Sequence, residues 1–117
     1  MITAESLIAV YIVASGRNGT LYVGVTSELV NRVQQHKSGR LAGFSRRYGC
    51  KRLVWFESHT SMIEAIRREK WLKHLPRAAK LKMIERQNPE WRDLSDGWFN
   101  ETTWDFDGAY EANLRAP

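Results

Sequence analysis

Ser6-Leu7-Ile8-Ala9-Val10-Tyr11-Ile12-Val13, then Gly16-Arg17-Asn18-Gly19, then Leu21-Tyr22-Val23-Gly24-Val25: this is the stretch on which the fold turns. The first segment is apolar and β-branched with no polar face, the pattern of a strand covered on both sides. Asn18-Gly19 offers two residues that tolerate positive φ, a strong hairpin signal. The second segment alternates with period two, so Leu21, Val23 and Val25 share one face and Tyr22, Gly24 and Thr26 the other. A loop with an even number of residues pairs positions whose numbers sum to an odd value. That register puts Tyr11 and Tyr22 on the same face of the hairpin.

From Ser27 the period becomes helical. Ser27 is placed to cap the first turn, Glu28 suits the positive end of the dipole, and Leu29 and Val33 form an apolar pair one turn apart. Lys37-Ser38-Gly39 marks the exit. Residues 38–52 form a basic loop with Arg40, Arg46, Arg47, Lys51 and Arg52, interleaved with Phe44 and Tyr48. Leu53 to Glu57 is a third strand. Ser61-Met62-Ile63-Glu64 is a capping box opening a second helix to about His74. Pro76 suits the first turn of a third helix, with Ala78, Leu81 and Ile84 at helical spacing, and Asn88-Pro89 stops it. One hairpin, a further strand and three helices make a small mixed α/β domain.

The length, 117 residues, fits a single core. One cysteine excludes a disulfide framework and a Cys-rich zinc site, pointing to a reducing compartment. The longest apolar run is too short to span a bilayer and no secretory signal precedes it, so a cytoplasmic protein without membrane attachment is expected. Charge divides the chain. Residues 1–92, the expected domain, hold 17 basic and 7 acidic side chains, whereas residues 93–117, an acidic aromatic tail, hold one base and six acids. A cationic body attracts phosphate-rich partners, nucleic acid first among them, although charge alone also serves solubility.

Three constellations bear on chemistry. Two phenols on one hairpin face could act jointly on a phosphate, or be ordinary amphipathic strand residues. Arg32 and His36, four apart on a helix, could hold a phosphate oxygen and relay a proton, or lie on a solvated face. Glu69 falls on the inward side of its helix with Met62, Ala65, Ile66 and Leu72. It is either a metal-binding carboxylate or one half of a partly buried ion pair with Lys73 or with an arginine across the fold. His59, His74 and Cys50 lack companions for a zinc site or a nucleophilic centre. The basic loop could track a phosphate backbone while Phe44 and Tyr48 stack on bases, or be a solvated loop with two anchoring aromatics.

Taken in order, Val10-Tyr11-Ile12, Leu21-Tyr22-Val23-Gly24, Arg32-x3-His36 and Arg68-Glu69-Lys70-x-Leu72-Lys73 resemble the GIY-YIG nuclease superfamily, most closely its small stand-alone members. The likeness runs from about Ala9 to Trp91. It implies a three-stranded antiparallel sheet flanked by helices and single-metal hydrolysis of a phosphodiester, leaving a 3′ hydroxyl and a 5′ phosphate. It further implies that one of Tyr11 and Tyr22 activates the attacking water while the other positions water or phosphate. Arg32 would stabilise transition-state charge, His36 would relay a proton, Glu69 would bind one Mg²⁺ or Mn²⁺ ion, and Gly24 would let backbone approach the site. Lys73 matches a recurring lysine. The chain departs from the pattern at Val10, which replaces the first motif's glycine, and at Val25, where related repair nucleases carry a lysine. Asn88 is the only counterpart of a late asparagine.

The implied activity is a metal-dependent endonuclease of DNA repair or recombination, with RNA as an alternative substrate. Arg40, Arg46, Arg47, Lys51 and Lys73 are the expected nucleic-acid contacts. With no separate DNA-binding domain, selectivity would come from substrate structure or from a protein partner. The alternative is a binding module that keeps the fold and cuts little or nothing. A further possibility is that the tail, through Trp98, Trp104 and Phe106, folds over the cationic face and competes with DNA.

Overall fold

The computed structural model describes residues 7–99. Three antiparallel strands, β1 (Ala9–Ala14), β2 (Leu21–Thr26) and β3 (Arg52–Ser58), form one sheet in the order β2-β1-β3. Four helices accompany it: α1 (Leu29–Ser38), α2 (Phe44–Arg47), α3 (Met62–Lys73) and α4 (Arg77–Gln87). The architecture is the expected α+β domain with a three-stranded antiparallel sheet. Among the described residues no helix is long and apolar enough to cross a membrane.

β1 is central and buried along its whole length, which explains its unbroken apolar sequence. Val10, Ile12 and Ala14 join Ala65, Leu72, Ile84 and Trp91 in one core layer. Ala9, Tyr11 and Val13 join Leu29, Val33, Cys50 and Leu53 in the other. The hairpin pairs Tyr11 with Gly24 and Val13 with Tyr22, the expected odd-sum register, so both tyrosines lie on the α1 side. Asn18 adopts positive φ in the turn but Gly19 does not, so the turn is not the two-residue Asn-Gly type; the Gly19 N–H instead donates to the Gly16 carbonyl at 3.0 Å.

A bulge interrupts β3, because Ile12 pairs with Trp55 and Val13 with Leu53, leaving Val54 as the extra residue. Val54 and Trp55 both enter the first core layer in consequence. The Asn88 amide donates to the Val54 carbonyl at 3.1 Å and to the Arg92 carbonyl at 2.9 Å, so it ties the end of α4 to this bulge.

Local expectations differ in several places. Glu28, not Ser27, precedes the first turn of α1; the Thr26 hydroxyl accepts the Glu28 N–H at 2.9 Å and the Leu7 carbonyl accepts the Leu29 N–H at 3.2 Å. Ser61 caps α3 as expected, accepting from the Glu64 N–H. Pro76 stands before α4 rather than in its first turn, and Ala78 is exposed while Leu81 and Ile84 pack inward. Ile66 also faces outward, leaving Ala65, Glu69 and Leu72 as the buried face of α3. The basic loop contains the short helix α2, which has too few residues to display a period.

Beyond Arg92 the chain returns along β3. The Leu94 N–H donates to the Leu53 carbonyl at 2.7 Å, Asp93 pairs with Lys37, and Trp98 packs edge-on against Phe56. Trp104, Phe106 and Tyr110 lie outside the described residues.

Candidate active site

The hairpin register brings Tyr11 opposite Gly24, and the glycine leaves a hollow that the phenol fills. A Cβ at Gly24 would lie 2.4 Å from the Tyr11 hydroxyl oxygen and 2.5 Å from Cζ. The resemblance implies that Gly24 lets backbone approach the site; in the fold the space that a side chain there would take is filled by the tyrosine ring. Held there, the Tyr11 hydroxyl meets His36 Nε2 at 2.8 Å. His36 lies one turn beyond Val33 on the buried stripe of α1, which is why it faces the sheet rather than solvent.

His36 Nδ1 lies 2.7 Å from Ser45 Oγ, and both residues are almost wholly buried. Ser45 belongs to α2 and was not among the sequence candidates, since a single serine in a basic loop carries no motif. The chain is therefore Tyr11, His36, Ser45. A neutral imidazole has one N–H. With Tyr11 donating to Nε2, Nδ1–H donates to Ser45 Oγ.

Electrostatics fix the resting state. Burial, reinforced by the neighbouring Tyr22, pushes the Tyr11 phenol well above its ordinary range; Arg32 pulls the other way and Glu69 adds to the rise. Burial and the Arg32 guanidinium push His36 down to about 4. At neutral pH the proton rests on the phenol and His36 is uncharged. Tyr22 completes the aromatic wall, its ring 6.4 Å from Tyr11 and 5.3 Å from His36.

Glu69 approaches from α3, where it is 8% exposed. Its Oε2 pairs with Lys73 Nζ at 2.7 Å, the ion pair left open by the sequence. Among the described residues no three His, Cys, Asp or Glu side chains converge as a metal cage. One buried carboxylate suits a divalent ion that keeps water and substrate phosphate as its other ligands. Lys73 would share that carboxylate with the ion.

The structure thus brings Tyr11, Tyr22, Arg32, His36 and Glu69 into one neighbourhood. Arg40, Arg46, Arg47 and Lys51 are exposed on the α1–β3 connection, while Lys73 is half-exposed beside Glu69. Asn88 acts at the β3 bulge instead.

Comparison with known proteins places relatives beside this chain. The GIY-YIG catalytic domain matches residues 7–82. A UPF0213 protein of Oceanobacillus iheyensis is 37% identical over 74 residues, 63% of this chain and 86% of that one. A UPF0213 protein of Aeromonas salmonicida is 29% identical over 109 residues, 92% of this chain and 78% of the other. The solution NMR structure of a UPF0213 protein from Bacillus halodurans has 30% sequence identity and a TM-score of 0.49, covering 78% of this chain and 96% of that chain.

Proposed function

This chain belongs to the GIY-YIG catalytic-domain family, and from that premise we propose that it is a divalent-metal-dependent endonuclease acting on DNA of particular structure in repair or recombination. The observation that carries the proposal is the buried Tyr11–His36–Ser45 chain, with Arg32 and the buried Glu69 carboxylate close enough to act on the phenol.

The reaction is attack of water on phosphorus with cleavage of the P–O3′ bond. Tyr11 takes a proton from the water as its own proton passes to His36 Nε2, and Ser45 holds the imidazole in the tautomer that can accept it. The released O3′ gains a proton and the 5′ side keeps the phosphate. In the free protein the raised phenol and lowered imidazole oppose that transfer. The negative charge of a bound phosphodiester favours the imidazolium. Arg32 neutralises charge growing on the non-bridging oxygens. Glu69 would hold one Mg²⁺ or Mn²⁺ ion, whose charge, when bound, favours phenolate and stabilises the leaving oxygen. Tyr22 is positioned to orient water or phosphate from the same wall.

The test is a panel of linear, nicked, flapped and branched DNA and of RNA, with Mg²⁺, Mn²⁺ or EDTA. Wild type is compared with Glu69→Ala and Tyr11→Phe. Metal-dependent cutting that both variants lose is the expected result. Salt-sensitive binding with no cutting on any substrate would reject the enzyme reading in favour of a nucleic-acid-binding module.

A further inference from the structure

The short helix α2 has two sides with different work. Ser45 points inward to His36, whereas Phe44 and Tyr48 are each about half exposed, at 49% and 48%. Large aromatic side chains left open on a small domain call for a reason. These two are mutually ordered, with ring centroids 4.7 Å apart, and Phe44 lies nearly parallel to Tyr22 at 6.3 Å and 27°. Tyr22 is itself 5.3 Å from the His36 ring. A continuous aromatic surface therefore runs from the reacting group outward to solvent. Its outer end is cationic, because the Arg47 guanidinium lies 5.8 Å from the Tyr48 ring centroid and Arg40 and Arg46 are exposed nearby in the chain.

We propose that Phe44 and Tyr48 form a stacking platform for an unpaired nucleobase adjoining the scissile phosphate, while Arg46 and Arg47 hold the neighbouring phosphates. The proposal rests on the nuclease reading and deepens it by naming the substrate class: strands with an unstacked nucleotide at the cleavage point. Exposed rings accept the π-face of any base, and positive charge beside them matches the phosphates on either side. In intact duplex both faces of every base are already stacked, leaving no face for the rings. Flaps, gaps and branch points supply free faces. Recognition of structure without base reading follows.

The experiment measures equilibrium binding in EDTA, so that it does not depend on cutting. Wild type and the Phe44→Ala/Tyr48→Ala variant are titrated with a single-stranded oligonucleotide, a flapped duplex with and without one abasic position in its flap, and blunt duplex. DNA and RNA versions of the single strand are both used. The expected result is about tenfold weaker single-strand binding by the variant, with unchanged duplex binding and unchanged salt dependence, since no ionic contact is removed. Moving an abasic position along the flap of a flapped duplex, where the junction fixes the register, should find one site where wild-type affinity falls by a similar factor and the variant's does not. The wild-type half of this arm needs no variant at all. A loss seen with one sugar only supports the platform and identifies its nucleic acid. Equal losses on duplex and single strand, or a flap bound as tightly with the abasic position as without it at every position, would overturn it. Cutting without stacking would leave the enzyme standing and remove the platform; stacking without cutting would do the reverse.

Discussion

The Tyr11 phenol lies over Gly24, its partner across the β1–β2 ladder, in space that any other residue's Cβ would occupy. The glycine acts through the ring it admits: only with that hollow does the hydroxyl reach His36 at 2.8 Å. Backbone conformation is not the reason, since Gly24 lies in regular strand and is not among the positive-φ positions.

Gly24→Ala should therefore disable the site without abolishing the fold. An added methyl 2.4 Å from the hydroxyl forces the ring aside, at a cost of about 1–3 kcal/mol. Cleavage should fall at least as far as in Tyr11→Phe, while thermal unfolding shows a cooperative transition at lower temperature. Wild-type cleavage by Gly24→Ala would show that the ring's position is immaterial.

Tyr11→Phe keeps the ring and removes the hydroxyl. Loss of a proton-transfer group should reduce cleavage by about 10²–10⁴-fold. Stability should fall by about 1–3 kcal/mol, the cost of leaving the buried His36 Nε2 unpaired. Single-turnover rates at saturating protein separate this from a binding defect.

Ser45→Ala leaves His36 without its Nδ1 partner and so without a fixed tautomer. The expected outcome is a cleavage rate reduced by about tenfold or more with substrate affinity unchanged. Ser45→Thr, which restores the hydroxyl, should recover part of it. A loss confined to affinity would assign Ser45 a merely structural part in α2.

His36 makes stability depend on pH in a defined window. Its imidazole titrates near 6.5 when unfolded and is pushed down to about 4 in the folded protein by burial and by Arg32. Between those values the unfolded chain binds the extra proton, so this contribution is complete above about pH 6.5 and is lost as pH falls towards 4. Urea unfolding across that range should give a falling stability for wild type and a flatter one for His36→Gln. Parallel curves would place the dependence elsewhere.

Asp93 anchors the segment that follows α4. It pairs with Lys37 on α1, accepts the Leu53 N–H at 3.3 Å and accepts the Ser95 hydroxyl at 2.7 Å. Burial would raise its carboxyl, but Lys37 and Ser95 outweigh that and hold it below its usual range. Asp93→Ala should destabilise by about 1–3 kcal/mol, through unpaired partners, and speed hydrogen exchange at Leu94. Unchanged exchange there would mean that the apolar contacts of Trp98 hold the segment unaided.

Much of this site was legible because it is written in local periods. Strand alternation with loop parity puts Tyr11 and Tyr22 on one face, and a spacing of four puts Arg32 beside His36. The same counting misplaced Ile66 and Ala78, because α3 and α4 contact the sheet along a narrower strip than their apolar residues mark out. Ser27 failed as a cap because the helix begins one residue later and the Leu29 N–H is taken by the Leu7 carbonyl at 3.2 Å.

By itself, then, the sequence determined the hairpin, its register, the helix spacings and the order of motifs that places the chain in its family. These depend on residues close along the chain, whose geometry follows from two fixed repeats. Only the tertiary structure decided that Ser45 completes the proton chain, that Tyr11 rests on Gly24, that Glu69 pairs with Lys73 and that Phe44 and Tyr48 stay exposed. Whether such a residue is buried, paired or open depends on which distant element packs against it. Burial in turn moves the phenol and the imidazole in opposite directions, because desolvation penalises whichever form is charged.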